Sequence, residues 1–191
     1  MKRGWHIAYN ENDNRWAEKA DLERKGAFIR FVSKTFALNE KCALVGMSCG
    51  GLYAVKTTAL FPELISALYL DAPVMNLLSC PFGLGGQNNV GEMPQEYVNC
   101  TGRTLIDMLS YREHPIDKMH VLLQNRLPII LVSGDSDTVV PYDENGAVLE
   151  KYYKENGGVI EVYIKAGGDH HPHGLPDCSK IVAFLEKYSN R

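Results

Sequence analysis

The chain lacks several features that would assign it to a specialised class of protein. It has no run of 18 apolar residues, so no membrane-spanning helix is expected, and its first ten residues do not resemble a secretory signal. Its 20 basic and 23 acidic residues give a net charge of −3, which is too balanced to favour nucleic acid or a membrane surface as a partner. No internal repeat or low-complexity tract is present.

Cysteine is sparse and its spacing is irregular. The five cysteines are an odd number, and no two of them form a C-x-x-C pair, so neither a disulfide scaffold nor a thiolate zinc site is expected. Cys80 and Cys100 flank a loop-rich stretch and could pair in an oxidising compartment. Scattered cysteines are more typical of a reduced cytoplasm, and we therefore expect a soluble cytoplasmic protein.

What is present is the composition of one globular domain: 191 residues, of which 45% are apolar and 23% charged. Five short apolar or β-branched runs predict strands, at residues 4–9, 42–46, 64–70, 128–133 and 159–164. Helical spacing predicts helices over residues 28–36, 51–61, 104–111, 116–124, 144–156 and 178–188. Strands that alternate with helices predict an α/β fold with a parallel sheet covered by helices on both faces.

One stretch departs from this alternation. Residues 74–99 contain G-L-G-G and Q-N-N, two prolines and little periodicity, so a long irregular excursion is expected. Such excursions in compact domains are often functional lids. The sequence thus predicts a single domain over residues 1–191 with a lid-like insertion at residues 74–127.

A candidate nucleophile follows the second predicted strand. Residues 46–51 read G-M-S-C-G-G and lead from a strand into a helix, and a turn this sharp needs glycine two residues before and two after its central serine. The turn would hold Ser48 in a strained backbone with its hydroxyl exposed, beside the backbone amide of Cys49. A tight helix-packing turn is the alternative interpretation.

A candidate acid follows the fourth predicted strand, in the run G-D-S-D-T-V-V-P. A serine hydroxyl needs a histidine to take its proton, and that imidazole needs a carboxylate to orient it and to stabilise its cation. Asp137 is the better candidate and Asp135 is expected to shape the turn, although both could be ordinary turn residues. Asp71, at the end of the third predicted strand, is a second possible acid or a cap for the turn at Ala72.

Three of the six histidines lie in the run G-G-D-H-H-P-H-G, after the last predicted strand. We expect His170 to be the base, because the two glycines before it let its ring reach the sheet, with His171 as the alternative. Asp169, His170, His171 and His173 could also bind a metal ion. Ligands so close in sequence rarely converge on one ion without a distant partner, so neither a metal nor a cofactor is expected.

The order serine, acid, histidine is the order found in α/β-hydrolases. With the pieces G-M-S-C-G-G, L-Y-L-D-A-P-V, G-D-S-D-T-V-V-P and G-G-D-H-H-P-H-G-L, the chain resembles the α/β-hydrolase fold family, and the last piece resembles a bacterial subgroup that ends in G-H-H-P-H-S-L. The resemblance implies Ser48 as nucleophile, Asp137 as acid, His170 as base and the Cys49 amide as an oxyanion donor.

The chain departs from this family at its start. Members place two or three further strands before the segment like residues 5–9, and the loop after the last of them usually supplies a second oxyanion amide. Nothing here corresponds, so a shortened sheet is expected, in which residues 5–9 fill the vacancy, a partner chain fills it, or the chain is a short form of a longer protein. An open sheet edge also favours a homo-oligomer.

These features favour a serine hydrolase that cleaves a small carboxylic ester through an acyl-enzyme. A peptidase of the prolyl oligopeptidase type is the first alternative, and it ranks lower because no propeller precedes the domain. A non-catalytic or truncated α/β module that binds a ligand or partner is the second alternative.

Overall fold

The computed structural model describes residues 4–85 and 90–189, and within these ranges four strands form one sheet. The strands are β1 (Cys42–Met47), β2 (Ile65–Asp71), β3 (Ile129–Gly134) and β4 (Ile160–Lys165). They lie in the order β1-β2-β3-β4, and each pair of neighbours is parallel. The predicted α/β class is confirmed, and all four strands end at the same edge of the sheet.

Helices precede, connect and follow these strands. In the described ranges they are α1 (Lys19–Thr35), α2 (Cys49–Leu60), α3 (Met93–Thr101), α4 (Leu105–Ser110), α5 (Met119–Gln124), α6 (Gly146–Glu155) and α7 (Ser179–Ser189). Short 3-10 turns occur at Pro62–Leu64, Pro115–Lys118 and Tyr142–Glu144. None of the helices among the described residues is both long and apolar enough to cross a bilayer.

Alternate residues of the central strands pack on opposite faces of the sheet, because side chains alternate along a strand. The face covered by α2, α5 and α6 has a core that includes Leu68, Leu70, Ile129 and Leu131. The face covered by α7 buries Ala67, Tyr69, Ile130 and Val132. This two-sided burial explains why β2 and β3 read as continuous apolar runs in the sequence.

The excursion after β2 is more ordered than its composition predicts. The helix α3 begins at Met93, inside the stretch that was expected to be irregular, and residues 86–89 of that stretch lie outside the described residues. Apolar side chains of the excursion join those before α1 and on α2 in a separate core that includes Trp16, Leu52, Tyr53, Leu77, Tyr97 and Met108. Burial of Tyr97 in this core is the physical reason for the added helix α3.

The strand predicted over residues 4–9 is wrong. These residues adopt no strand, and Ile7 and Tyr9 are 81% and 79% exposed. Their apolar and aromatic residues match a strand in composition, but a strand also requires a neighbour to hydrogen-bond with. Residues 5–9 therefore do not extend the sheet beside β1.

The strand β1 is less buried than its sequence predicts. It pairs with β2 alone among the described strands, and Val45 and Met47 are 57% and 41% exposed.

The helix α1 also differs from its sequence prediction, because Phe31 on its predicted apolar stripe is 62% exposed. The buried side of α1 includes Gly26, where a Cβ atom would lie 2.5 Å from the ring of Phe61. A glycine has no apolar side chain, so the spacing of apolar residues cannot predict a close contact made at a glycine.

Candidate active site

Ser48 occupies the turn between β1 and α2, at the edge where the strands end. Its backbone has a φ of 53° and a ψ of −123°, a conformation that costs a non-glycine residue about 1–3 kcal/mol. The turn is held by two hydrogen bonds to the neighbouring connection: the Ser48 amide donates to the Asp71 carbonyl (2.9 Å), and the Val74 amide donates to the Ser48 carbonyl (3.0 Å). The strain predicted for Ser48 is therefore present and is supported by the loop after β2.

Two glycines make room for this turn, and the sequence motif predicts only one of them. A Cβ atom at Gly46 would lie 2.4 Å from the Gly50 carbonyl oxygen, so residue 46 must be glycine. A Cβ atom at Gly50 would meet nothing within 4 Å, whereas one at Gly51 would lie 2.4 Å from Cβ of Pro73. The close approach is thus between Gly51 and the loop after β2, which the spacing of the motif does not reveal.

Asp137 lies in the loop that follows β3, and its side chain is fully buried. Its Oδ1 accepts hydrogen bonds from the amides of Val139 (2.9 Å) and Val140 (2.8 Å), and its Oδ2 lies 2.8 Å from Nδ1 of His170. Burial raises the pKa of Asp137, but the bonds from His170 and the two amides outweigh it and hold the pKa below its usual value. The carboxylate is therefore charged at neutral pH and can stabilise an imidazolium.

Asp135 shapes the loop, as expected from the sequence. Its Oδ1 accepts a hydrogen bond from the Gly167 amide (2.7 Å), and the Ser136 amide donates to the Gly168 carbonyl (2.9 Å). These bonds join the loops after β3 and β4. They bring Asp137 within reach of His170.

His170 links the acid to the serine. Its Nε2 lies 3.0 Å from Oγ of Ser48, while its Nδ1 faces Asp137, and its side chain is 8% exposed. With the proton on Nδ1 shared with the carboxylate, Nε2 holds a lone pair toward the hydroxyl. Three side chains predicted from separate motifs therefore form one hydrogen-bonded chain in which a serine proton can be taken up.

The Cys49 amide lies directly after Ser48, at the first residue of α2. The first amides of a helix have no partner within it, so this N–H can bind an oxygen that becomes negative. Burial raises the pKa of the Cys49 thiol to about 11. The thiol is therefore neutral, and it does not repel the negative oxygen that the amide would bind.

Asp71 belongs to a second pair of an acid and a histidine. Its buried carboxylate contacts Nδ1 of His173 (3.0 Å) and accepts bonds from the Gly174 amide (2.6 Å) and the Tyr69 hydroxyl (2.6 Å). It holds the loop after β4, rather than serving as the predicted cap at Ala72. Sequence reasoning did not identify His173 as its partner, although a third histidine in the loop and an acid at a strand end were the available signals.

His171 and His114 differ in their burial and in their contacts. His171 is exposed, and its ring packs against those of His170 and His173 with centres 4.9 and 4.7 Å away. His114 is buried, and its Nδ1 accepts a hydrogen bond from the Leu77 amide (3.1 Å), which is a structural role. Of the two candidate bases, His170 alone contacts the serine and the acid among the bonds recorded for the described residues.

Comparison with known proteins places these observations in a family. Residues 26–191 match the model of the prolyl oligopeptidase family. Similar solved structures include a puromycin hydrolase (20% identity, TM-score 0.64) and a puromycin-hydrolyzing peptidase from Mycobacterium tuberculosis (16%, 0.66), each covering 90% of this chain and 24% of its own length. An acylaminoacyl peptidase from Pyrococcus horikoshii is similar as well (15%, 0.58), over 91% of this chain and 26% of that one. The chain thus spans about a quarter of these proteins, and no curated protein matches it.

Proposed function

This chain belongs to the prolyl oligopeptidase family, and we propose that it is a serine peptidase that hydrolyses a small aminoacyl or acylaminoacyl amide. The observation that carries the proposal is the chain of hydrogen bonds from Ser48 through His170 to Asp137, with distances of 3.0 and 2.8 Å. The substrate class follows from the structural neighbours, whose names describe hydrolysis of puromycin and of acylaminoacyl peptides.

In the proposed acylation step, Oγ of Ser48 bonds to the carbonyl carbon of the substrate and its proton passes to Nε2 of His170. The charge that develops on the carbonyl oxygen is bound by the Cys49 amide, and Asp137 stabilises the imidazolium. As the carbon–nitrogen bond breaks, His170 gives its proton to the leaving amine. The acyl group is then held on Ser48 as an ester.

Deacylation reverses these roles with water as the nucleophile. His170 takes a proton from the water, whose oxygen bonds to the acyl carbon, and returns it to Oγ of Ser48 as the carboxylic acid leaves. Because Asp137 is fully buried, its carboxylate acts on the imidazole without competition from solvent. One set of residues therefore serves both halves of the reaction.

The insertion at residues 74–127 is proposed to form one wall of the substrate pocket. The Val74 amide binds the Ser48 carbonyl, so the start of the insertion is fixed directly to the nucleophile turn. Further along it, Glu96 of α3 forms an ion pair with Arg15 (2.8 Å). An insertion anchored to the nucleophile can select substrates without altering the catalytic groups.

Ester hydrolysis, the activity expected from the sequence, is retained as the second candidate. An ester is cleaved by the same acyl-enzyme chemistry, and its alcohol leaves more readily than an amine. What favours it is the oxyanion site, where the Cys49 amide is the one donor that we assign within residues 4–85 and 90–189. Loss of one oxyanion donor slows turnover by about 10²- to 10³-fold, which an activated ester tolerates better than an amide does.

The expected compartment and assembly also remain proposals. All five cysteines are unpaired, including Cys80 and Cys100, which suits a reducing compartment such as the cytoplasm. The exposed edge of β1 suits association with a second chain, because unpaired strand edges recruit other strands.

The test compares alanyl 4-nitroanilide, N-acetylalanyl 4-nitroanilide and the matching 4-nitrophenyl ester as substrates. We expect cleavage of an anilide by the native chain, a loss of at least about 10⁴-fold in Ser48→Ala, and no loss in Ser179→Ala, an exposed serine at the start of α7. Ester cleavage without anilide cleavage would favour the esterase. Folded protein that cleaves neither would favour the binding module.

A further inference from the structure

Three imidazoles converge at the carboxyl edge of the sheet. The ring centres of His170, His171 and His173 lie 4.7 to 5.0 Å apart in all three pairs, and each pair meets edge to face. One nitrogen from each ring can be chosen so that all three lie within 4.8 Å of one another. Proximity in sequence alone does not produce this, since the loop must bring all three rings to one place.

Two of the rings are oriented by buried carboxylates. His170 directs Nδ1 to Asp137 and His173 directs Nδ1 to Asp71, and both carboxylates are fully buried. Such bonds leave the lone pair on the opposite nitrogen, Nε2, which is the arrangement that carboxylates impose on histidines bound to zinc. Asp137 and Asp71, which are distant from the loop in sequence, thus orient two of the three rings without being ligands themselves.

The third ring is free to adjust and can be reached from solvent. His171 is exposed, and a cavity of about 200 Å³ opens beside His171 and His173. The charges around the cluster favour a cation on balance: Asp71, Asp137 and the exposed Asp169 are acidic, whereas Lys165 at the cavity wall is basic and donates to the Pro172 carbonyl (2.7 Å).

We propose that His170, His171 and His173 form a binding site for Zn²⁺, whose occupancy inhibits the hydrolase. Three imidazole nitrogens suit Zn²⁺, with a fourth position left for water or for Oγ of Ser48. In a tetrahedral zinc site the ligand nitrogens lie roughly 3.3 Å apart, so the rings must approach one another by up to about 1.5 Å. The exposed His171 can rotate toward the other two rings, and small rotations of His170 and His173 must close the rest of the gap.

Inhibition follows from the nitrogen that the ion uses. Zn²⁺ on Nε2 of His170 occupies the lone pair that otherwise accepts the Ser48 proton, so the serine loses its base. No covalent bond of the chain changes, and a chelator restores activity. This inhibitory part rests on the proposed function, whereas metal binding does not.

Binding is tested first, without any substrate, by titrating the full chain with Co²⁺ and recording its visible absorption. We expect one Co²⁺ per chain, with the strong visible bands of tetrahedral cobalt, and displacement by Zn²⁺. His171→Gln should weaken binding by about 10- to 100-fold, while His120→Gln, at an exposed histidine of α5, should not. Absence of the bands, or equal affinity in His171→Gln and the native chain, would overturn the site.

Inhibition is tested second, with buffered free Zn²⁺ and the anilide or ester that the chain cleaves. We expect His171→Gln to keep the native rate without metal and to need about 10- to 100-fold more Zn²⁺ for half inhibition. Inhibition that is the same in His171→Gln, His120→Gln and the native chain would overturn the inhibitory role. A chain that binds Co²⁺ through His171 but cleaves nothing would retain the metal site and refute the proposed hydrolase.

Discussion

His173 contacts Asp71 from the same loop in which His170 contacts Asp137, at distances of 3.0 and 2.8 Å. The two imidazoles are neighbours, with ring centres 5.0 Å apart, yet only His170 reaches Ser48. The chain therefore holds two similar acid–histidine pairs side by side. The first pair is placed for proton transfer, and the second fixes the loop that carries the first.

This difference predicts unequal effects of removing the two charges. Asp137→Asn should lower kcat by about 10⁴-fold, because the amide cannot hold the imidazole in the required tautomer or stabilise its cation. Asp71→Asn should lower kcat by less than about tenfold, because His173 does not touch the serine. Steady-state kinetics on both variants, with circular dichroism to verify folding, decides the point. The reverse ranking would make Asp71 the catalytic acid.

The contact between Gly51 and Pro73 predicts a matched pair of stability effects. Gly51→Ala should lower the free energy of unfolding by about 1–3 kcal/mol, because the new methyl group would lie 2.4 Å from Cβ of Pro73. A Cβ atom at Gly50 would meet nothing within 4 Å, and alanine favours a helix more than glycine does. Gly50→Ala should therefore leave the free energy of unfolding unchanged or raise it by up to about 1 kcal/mol. Urea denaturation measures both. If both variants are destabilised equally, the contact with Pro73 does not explain the loss of stability.

A buried lysine on α2 predicts a dependence of stability on pH. Lys56 is 7% exposed and donates to the Ala17 carbonyl (2.8 Å), and burial lowers its pKa from 10.5 to about 8. Between these values the unfolded chain binds more protons than the folded chain, so the contribution of Lys56 to stability increases with pH.

The measurement compares the native chain with Lys56→Met in urea at several pH values. Relative to this variant, the native free energy of unfolding should rise by about 2 kcal/mol from pH 8 to pH 10 and stay level below pH 7. The exposed Lys151→Met should show no such change relative to the native chain. If the difference in free energy of unfolding between the native chain and Lys56→Met stays constant from pH 8 to pH 10, the pKa of Lys56 is not lowered.

The neutral thiol beside the nucleophile predicts that its side chain is dispensable. Cys49→Ala keeps the amide that is proposed to bind the oxyanion, so kcat/KM should change by less than about threefold. Iodoacetamide should label the exposed Cys100 and Cys178 well before Cys49, whose pKa is raised to about 11. Mass mapping of the labelled peptides measures this order. Rapid labelling of Cys49 with loss of activity would indicate a thiol role.

Much of the fold was predictable because its signals are local. The four strands that form the sheet each read as a short apolar run. Ser48 directly follows β1, and Asp137 lies three residues after the end of β3. In a parallel sheet those positions share one edge, so the order of the motifs along the chain was sufficient to group them. The position of the histidine loop was predictable on the same grounds, whereas His170 is distinguished from His171 by its contacts with Asp137 and Ser48.

The remainder depends on contacts that are distant in sequence. Ile7 and Tyr9 suit a strand, but no sequence pattern states whether a neighbouring strand exists to pair with them. The bond between His173 and Asp71 joins residues 102 positions apart, and the contact of Gly51 with Pro73 depends on how the loop after β2 folds back. Phe31 is apolar and exposed because α1 packs through a glycine instead.

The most direct test of the central claim is the intact mass of the chain after treatment with a fluorophosphonate. The claim is that Ser48 is activated by His170 and Asp137, so the native chain should gain one adduct and Ser48→Ala should gain none. Asp137→Asn should react far more slowly, since its imidazole is no longer held in place. A folded native chain that gains no adduct, or an adduct that persists in Ser48→Ala, would contradict the claim.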